Sequence, residues 1–149
     1  MVARYSRRTL LGAGLGGTAV LLAGGYTWDQ YRTRHTIRLY HLEAVNESDE
    51  TVTLEVTVTD AASDREGRRT ASLEPAGGAD ETHLTGLWMK HAGEWRVDAT
   101  LADHRLELST EAIRNRLEGS GWGVDCANVA VVVTADGGLE SRVEPSDVC

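Results

Sequence analysis

Thr51–Asp60 reads TVTLEVTVTD. Val52, Leu54, Val56 and Val58 fall on one face, and Thr51, Thr53, Glu55, Thr57 and Thr59 on the other. Unbroken period-2 alternation in β-branched residues marks a strand with one dry and one wet face. The dry face has to be covered by a second layer, so a two-layer antiparallel β fold is expected.

Upstream, Thr36–Val45 reads as the first strand. Ile37 and Leu39 share one face, Tyr40 and Leu42 the other, so a bulge near Leu39 is expected, letting this strand serve both sheets. Asn46–Glu50 is a turn. Downstream, Asp60–Arg69 reads as a charged loop, and Thr70 opens a short strand that stops at Pro75. Leu84–Lys90 and Trp95–Leu101 are expected to pair as a hairpin around His91-Ala92-Gly93-Glu94. Arg105–Leu108 reads as a further short strand. Ser109–Glu118 is the one helical candidate, with Thr110 as its cap, Glu111 in its first turn and Ile113 and Leu117 on one face. So short a helix has to lie against the sandwich, across one end. Ala127–Thr134 and Leu139–Glu144 form a last hairpin around Ala135-Asp136-Gly137-Gly138. The expectation is seven or eight strands in two sheets, without repeats.

The chain has 149 residues, room for one domain and an appendage. Phenylalanine is absent, so the core leans on valine, leucine and four tryptophans. Arg4, Arg7 and Arg8 are the only charged residues among the first 28, which leaves 12 of the 15 basic and all 23 acidic side chains to the rest. A body that acidic is repelled by phosphate backbones, which argues against nucleic-acid binding. Lys90 is the only lysine against 14 arginines. Excess acid with arginine for lysine resembles the proteins of salt-loving archaea.

Residues 1–28 read MVARYSRRTLLGAGLGGTAVLLAGGYTW. The stretch Ser6-Arg7-Arg8-Thr9-Leu10-Leu11 resembles the twin-arginine export signal, with Arg7 and Arg8 as the paired arginines. Leu10–Trp28 carries no charge over 19 residues, and six glycines dilute its hydrophobicity. Positive charge before the segment and acid after it direct the body outward across the membrane. Two fates are open. Cleavage after Gly25 is one, since Ala23 and Gly25 are the small residues a signal peptidase reads. Retention as a single-span hydrophobic anchor helix is the other, because 19 residues cross about 30 Å of hydrocarbon. Residues 29–35 read as a tether, and 36–149 as the β domain.

This order of elements resembles the immunoglobulin-like β-sandwich, and more narrowly the small twin-arginine-exported or membrane-anchored sandwich proteins of haloarchaea. The narrow resemblance rests on Ser6–Leu11, on Gly93-Glu94-Trp95-Arg96-Val97, and on Val124-Asp125-Cys126 leading to Val129–Asp136. It implies a place and a shape, not an activity. The two cysteines do not bracket a central tryptophan, unlike those of true immunoglobulin domains.

Cys126 and Cys149 are an even pair in a chain read as exported, which points to one disulfide. A turn centred on Asp136-Gly137 sets residue 126 opposite about 147, and one bulge brings 149 alongside. Such a bridge stabilises by roughly 3 kcal/mol in the chain-entropy model. Asn46-Glu47-Ser48 is a glycosylation sequon in an expected turn, so Asn46 is a glycan acceptor if that turn is exposed.

His35, His41, His83, His91 and His104 show no HxH, HxxH or HExxH spacing. His83 and His91 with His104 are the ligand set that folding could assemble; independent surface histidines are the plainer reading. The acidic runs at Glu47–Glu50 and Asp60–Glu66 fit no calcium-loop pattern. Ser120 lies in Gly119-Ser120-Gly121 and lacks the nucleophile elbow. Trp88, Trp95 and Trp122 line a carbohydrate platform on one reading and pack in the core on the other. The expected function is therefore a non-enzymatic, envelope-associated module contacting surface proteins or glycans, with no cofactor. The alternatives are a ligand- or metal-binding accessory subunit of a membrane complex and, behind it, a carbohydrate-active hydrolase.

Overall fold

The alternating stretch is the heart of strand β2, Val52–Asp60: Leu54, Val56 and Val58 are buried while Thr51 and Thr53 face solvent. The computed structural model describes residues 36–118 and 126–148, within the unit His35–Cys149 that begins where the chain divides after Arg34. The other strands are β1 (Arg38–Asn46), β3 (Arg65–Leu73), β4 (Glu81–His83), β5 (Trp95–Leu101), β6 (His104–Ser109), β7 (Cys126–Val133) and β8 (Leu139–Pro145). Among the described residues the α-helix α1 spans Thr110–Leu117, and a 3-10 turn spans Leu87–Met89.

Two four-stranded sheets result, ordered β4-β1-β7-β8 and β3-β2-β5-β6. Leu39, Leu42, Ala44, Ala127, Val129 and Val131 of the first face Leu54, Val56, Val58, Leu73, Val97, Ala99 and Leu108 of the second across one buried core. Each fully buried valine or leucine contributes about 1.5–3 kcal/mol relative to exposure, so this double row is what holds the layers together.

The expectation of a mainly β, two-sheet sandwich with one short helix is met. Strict antiparallel pairing is corrected, because β1 runs parallel to β7, with Leu42 opposite Val129 and Ala44 opposite Val131. Parallel neighbours need a long crossover, and here the whole second sheet and α1 lie between β1 and β7 in the chain. The expected bulge is present: the register shifts between Leu39 and His41. It moves the buried set from odd positions (Ile37, Leu39) to even ones (Leu42, Ala44). Ile37 also exchanges backbone hydrogen bonds with Gly93, at 2.9 and 3.0 Å, two residues before β5 of the other sheet. One strand thus reaches both layers.

Three further expectations are corrected. Arg65–Arg69 is strand, not loop; it is the charged half of edge strand β3, where side chains face solvent and charge discourages edge-to-edge pairing. Leu84–Lys90 is not a strand. The chain turns at Leu87–Met89 to drop Trp88 into the core at 2% exposure, and Trp95–Leu101 pairs instead with His104–Ser109 around Ala102-Asp103. The cap of α1 is Ser109, whose Oγ accepts from Ala112 N at 3.2 Å; Thr110 is buried and donates to Trp95 O at 2.9 Å. As expected, Ile113 and Leu117 are buried. Arg114 donates to Thr36 O and Arg116 to Ser141 O, both at 2.8 Å, so α1 is tied to both ends of the first sheet's sequence.

Candidate functional site

Strand β1 alternates, so Leu42 and Ala44 point into the core and His41 and Glu43 point away from it. Edge strand β4 pairs antiparallel with β1 and sets His83 directly opposite Glu43. His83 Nδ1 lies 3.3 Å from Glu43 Oε1. The imidazole rings of His41 and His83 have centroids 5.6 Å apart at 47°. Tyr40, at the bulge, meets His41 edge-on at 4.5 Å. Candidate ligand atoms of His41, Glu43 and His83 all lie within 4.8 Å of one another. Among the described residues this is the one group of three His, Cys, Asp or Glu side chains so placed.

On the far side of β1, the residue opposite His41 in the parallel ladder is Asn128 of β7. Its Oδ1 is buried and has no hydrogen-bond partner. Two imidazoles and a carboxylate on adjacent strands, with an orphaned amide oxygen at the register position next to His41, can hold a proton between His83 and Glu43 or a metal ion among all three.

The ligand set His83, His91 and His104 is not assembled. His91 follows the 3-10 turn, its N–H bonded to Leu87 O at 3.2 Å, and His104 opens β6 in the other sheet. His83 instead meets His41, which stands 42 positions earlier in sequence. The only hint available was the spacing His41-x-Glu43, which on a strand puts both on one face.

Asn46 is fully buried. Its Nδ2 donates to Glu50 O at 2.7 Å and Glu74 O at 2.9 Å, and its Oδ1 accepts from Ser48 N at 3.0 Å and Ser48 Oγ at 2.7 Å. The expectation of an exposed sequon is thereby corrected: in the folded chain both amide hydrogens are committed and no sugar can reach the nitrogen. Cys126 is buried and is not a free thiol. Its register partner is residue 146, with Ser146 N 3.4 Å from Cys126 O, one position short of the expected 147. Cys149 lies outside the described residues, as do Arg7, Arg8, Trp122 and the whole of residues 1–35. Among the described residues no helix is long and apolar enough to cross a membrane.

Trp88 and Trp95 are 2% and 5% exposed, so neither offers a ring face as a sugar platform. Edges of both rings border a pocket that Val58, Arg65, Glu66, Gly67, Arg69 and Leu87 also line. Glu66 is the carboxylate among its lining residues. Arg69 lies over the Trp88 ring at 5.5 Å. The acidic runs have structural work: Asp60 accepts from Ala62 N at 3.1 Å and Ser63 Oγ at 2.7 Å to close the β2–β3 turn. Glu47 binds Arg142 through both oxygens, at 2.6 and 2.9 Å. The hydrogen bonds from Arg142 hold the Glu47 carboxyl below its ordinary range.

No family model matches the chain, and no curated protein matches it. A solved structure, the NMR structure of the protein from Eubacterium rectale, is similar at a TM-score of 0.39 and 9% identity, over 77% of this chain and 94% of that one.

Proposed function

We propose that the chain is an exported, envelope-associated β-sandwich that acts by contact rather than by catalysis. The observation that carries this reading is the first 28 residues: paired Arg7 and Arg8, then the uncharged stretch Leu10–Trp28 of 19 residues, then a body holding every acid in the chain. The charge asymmetry favours delivery of the body beyond the cytoplasmic membrane, and an acidic surface keeps such a body soluble and suits a saline exterior. Strand edges and loops offer contact surface for envelope proteins or surface glycans. A bridge between Cys126 and Cys149 belongs to this reading, since disulfides persist outside the cytosol.

Protease treatment of intact cells, followed by intact-mass measurement of the recovered chain, tests it. The expected result is a protease-accessible body whose mass is lower by two hydrogens than after reduction. A full-length, protected chain with both thiols reduced would overturn it. A ligand- or metal-binding accessory role is the second reading, favoured by the meeting of His41 with His83.

A further inference from the structure

We infer that His41, Glu43 and His83 form a three-ligand site for a divalent transition-metal ion of the zinc type, with Asn128 as the outer partner of His41. This stands on the geometry of β1, β4 and β7 alone and does not depend on export.

The backbone part of the site is already built. His41 and Glu43 share a face of β1, an interior strand held by ladders on both sides. The register fixes His83 opposite Glu43. Ligand atoms at about 2.0–2.2 Å from a tetrahedral zinc lie roughly 3.3 Å from one another. The His83–Glu43 separation is already 3.3 Å, and the largest separation in the group is within 4.8 Å. Side-chain rotation closes that gap without moving a strand.

The donors select the ion. Calcium and magnesium take oxygen ligands in larger numbers, whereas imidazole nitrogens with one carboxylate suit zinc and its neighbours. One carboxylate and two neutral imidazoles leave a single negative charge facing the dication, inside an acidic surface that raises the local cation concentration. Three ligands leave a fourth position open to water or to a donor from another molecule. The side chain of His83 is 59% exposed and that of Glu43 28%, so an ion enters without any opening of the fold.

Asn128 supplies the independent observation. A ligating histidine donates its other ring N–H to an acceptor that fixes its orientation. Asn128 Oδ1 is a buried acceptor with no partner, at the register position of His41. A simple His83–Glu43 ion pair leaves this oxygen without a partner.

The test is a titration of the chelator-stripped full chain with zinc chloride, in competition with a chromogenic chelator. One zinc per chain is expected. His41→Ala and His83→Gln each weaken binding by more than the roughly 10–100-fold that loss of an outer partner costs, and Asn128→Ala weakens it within that range. His91→Gln and His104→Gln match the parent. His83→Gln is the decisive variant, because an exposed residue on an edge strand can change without unfolding the domain, which circular dichroism verifies. Parent protein that fails to compete for zinc overturns the inference, as does His83→Gln binding like the parent or loss of binding in the His91 or His104 variants. None of these outcomes bears on where the protein resides.

Discussion

Ser48 gives Asn46 two hydrogen bonds, at 3.0 Å from its N–H and 2.7 Å from its hydroxyl, and Asn46 passes its own two amide hydrogens to Glu50 O and Glu74 O. One buried amide thus fastens the β1–β2 turn to the end of β3. Asn46→Ala removes the partner of the buried Ser48 N–H and a donor to the carbonyls of Glu50, which keeps Ser48 Oγ at 3.3 Å, and Glu74. An unsatisfied buried group costs about 1–3 kcal/mol, so a loss of about 2–4 kcal/mol is expected in urea unfolding. Intact mass of the native protein is expected to show no glycan at Asn46. A folded, glycosylated species would contradict the burial.

Gly86 and Gly67 make room for Trp88. A Cβ at Gly86 would lie 2.3 Å from two carbons of the indole, and one at Gly67 would lie 2.8 Å from it. Gly86 has an extended backbone, φ −179°, so its requirement is space, not conformation. Gly86→Ala forces the ring to shift and is expected to cost about 1–3 kcal/mol, as overpacking does. Trp88→Ala, which empties the site, is expected to cost about 3–5 kcal/mol. Denaturant curves decide the ranking; Gly86→Ala with parental stability would mean that Trp88 is not seated so tightly.

These two sites show which parts of the fold can be read in one dimension. Val52–Val58 is legible because burial on one face and solvent on the other write the period into the sequence. The edge strand Arg65–Arg69 is not, because a strand wet on nearly every side has no reason to alternate. Leu84–Lys90 looks like a strand by its apolar content, yet its largest residue is spent on a single inward Trp88, a tertiary demand that no local pattern records. The cluster of His41, Glu43 and His83 depends on a three-residue strand arriving beside β1 after a glycine-rich loop. His41-x-Glu43 is visible, and the third member is not, since register between distant strands is set by the core and not by neighbours in the chain.

Ala102 has φ 49° in the two-residue connection from β5 to β6. A Cβ in this left-handed region meets the following carbonyl, at a cost of roughly 1–2 kcal/mol, and glycine is the residue that occupies it freely. Ala102→Gly is expected to stabilise the domain by about 0.5–1 kcal/mol after the added freedom of the unfolded chain is subtracted. Thermal melting checks this: the midpoint should rise by a few degrees, and a fall would show that the turn carries no such strain.

Arg142 joins Glu47 across 95 positions of sequence and Glu140 on its own strand, at 2.6 Å to each. Hydrogen bonding from the guanidinium lowers the Glu47 pKa, and hydrogen bonds from Thr134 and the Gly138 N–H lower that of Asp136 in the β7–β8 turn. A carboxyl whose folded pKa lies below its unfolded value stabilises the fold above the unfolded value, about 3.9 for Asp and 4.3 for Glu. That contribution is lost as pH falls through the lower, folded value. Stability is therefore expected to decline on acidification from about pH 5 to pH 3, and Arg142→Gln should flatten part of the decline by returning Glu47 to its ordinary range. All three groups are exposed, so salt screens the charge component of the effect. Carbon-13 NMR titration of the Glu47 carboxyl reads the shift directly. An identical midpoint in parent and Arg142→Gln would remove Arg142 as its cause, and a decline in stability that rises rather than falls with pH would reverse the sign of the linkage.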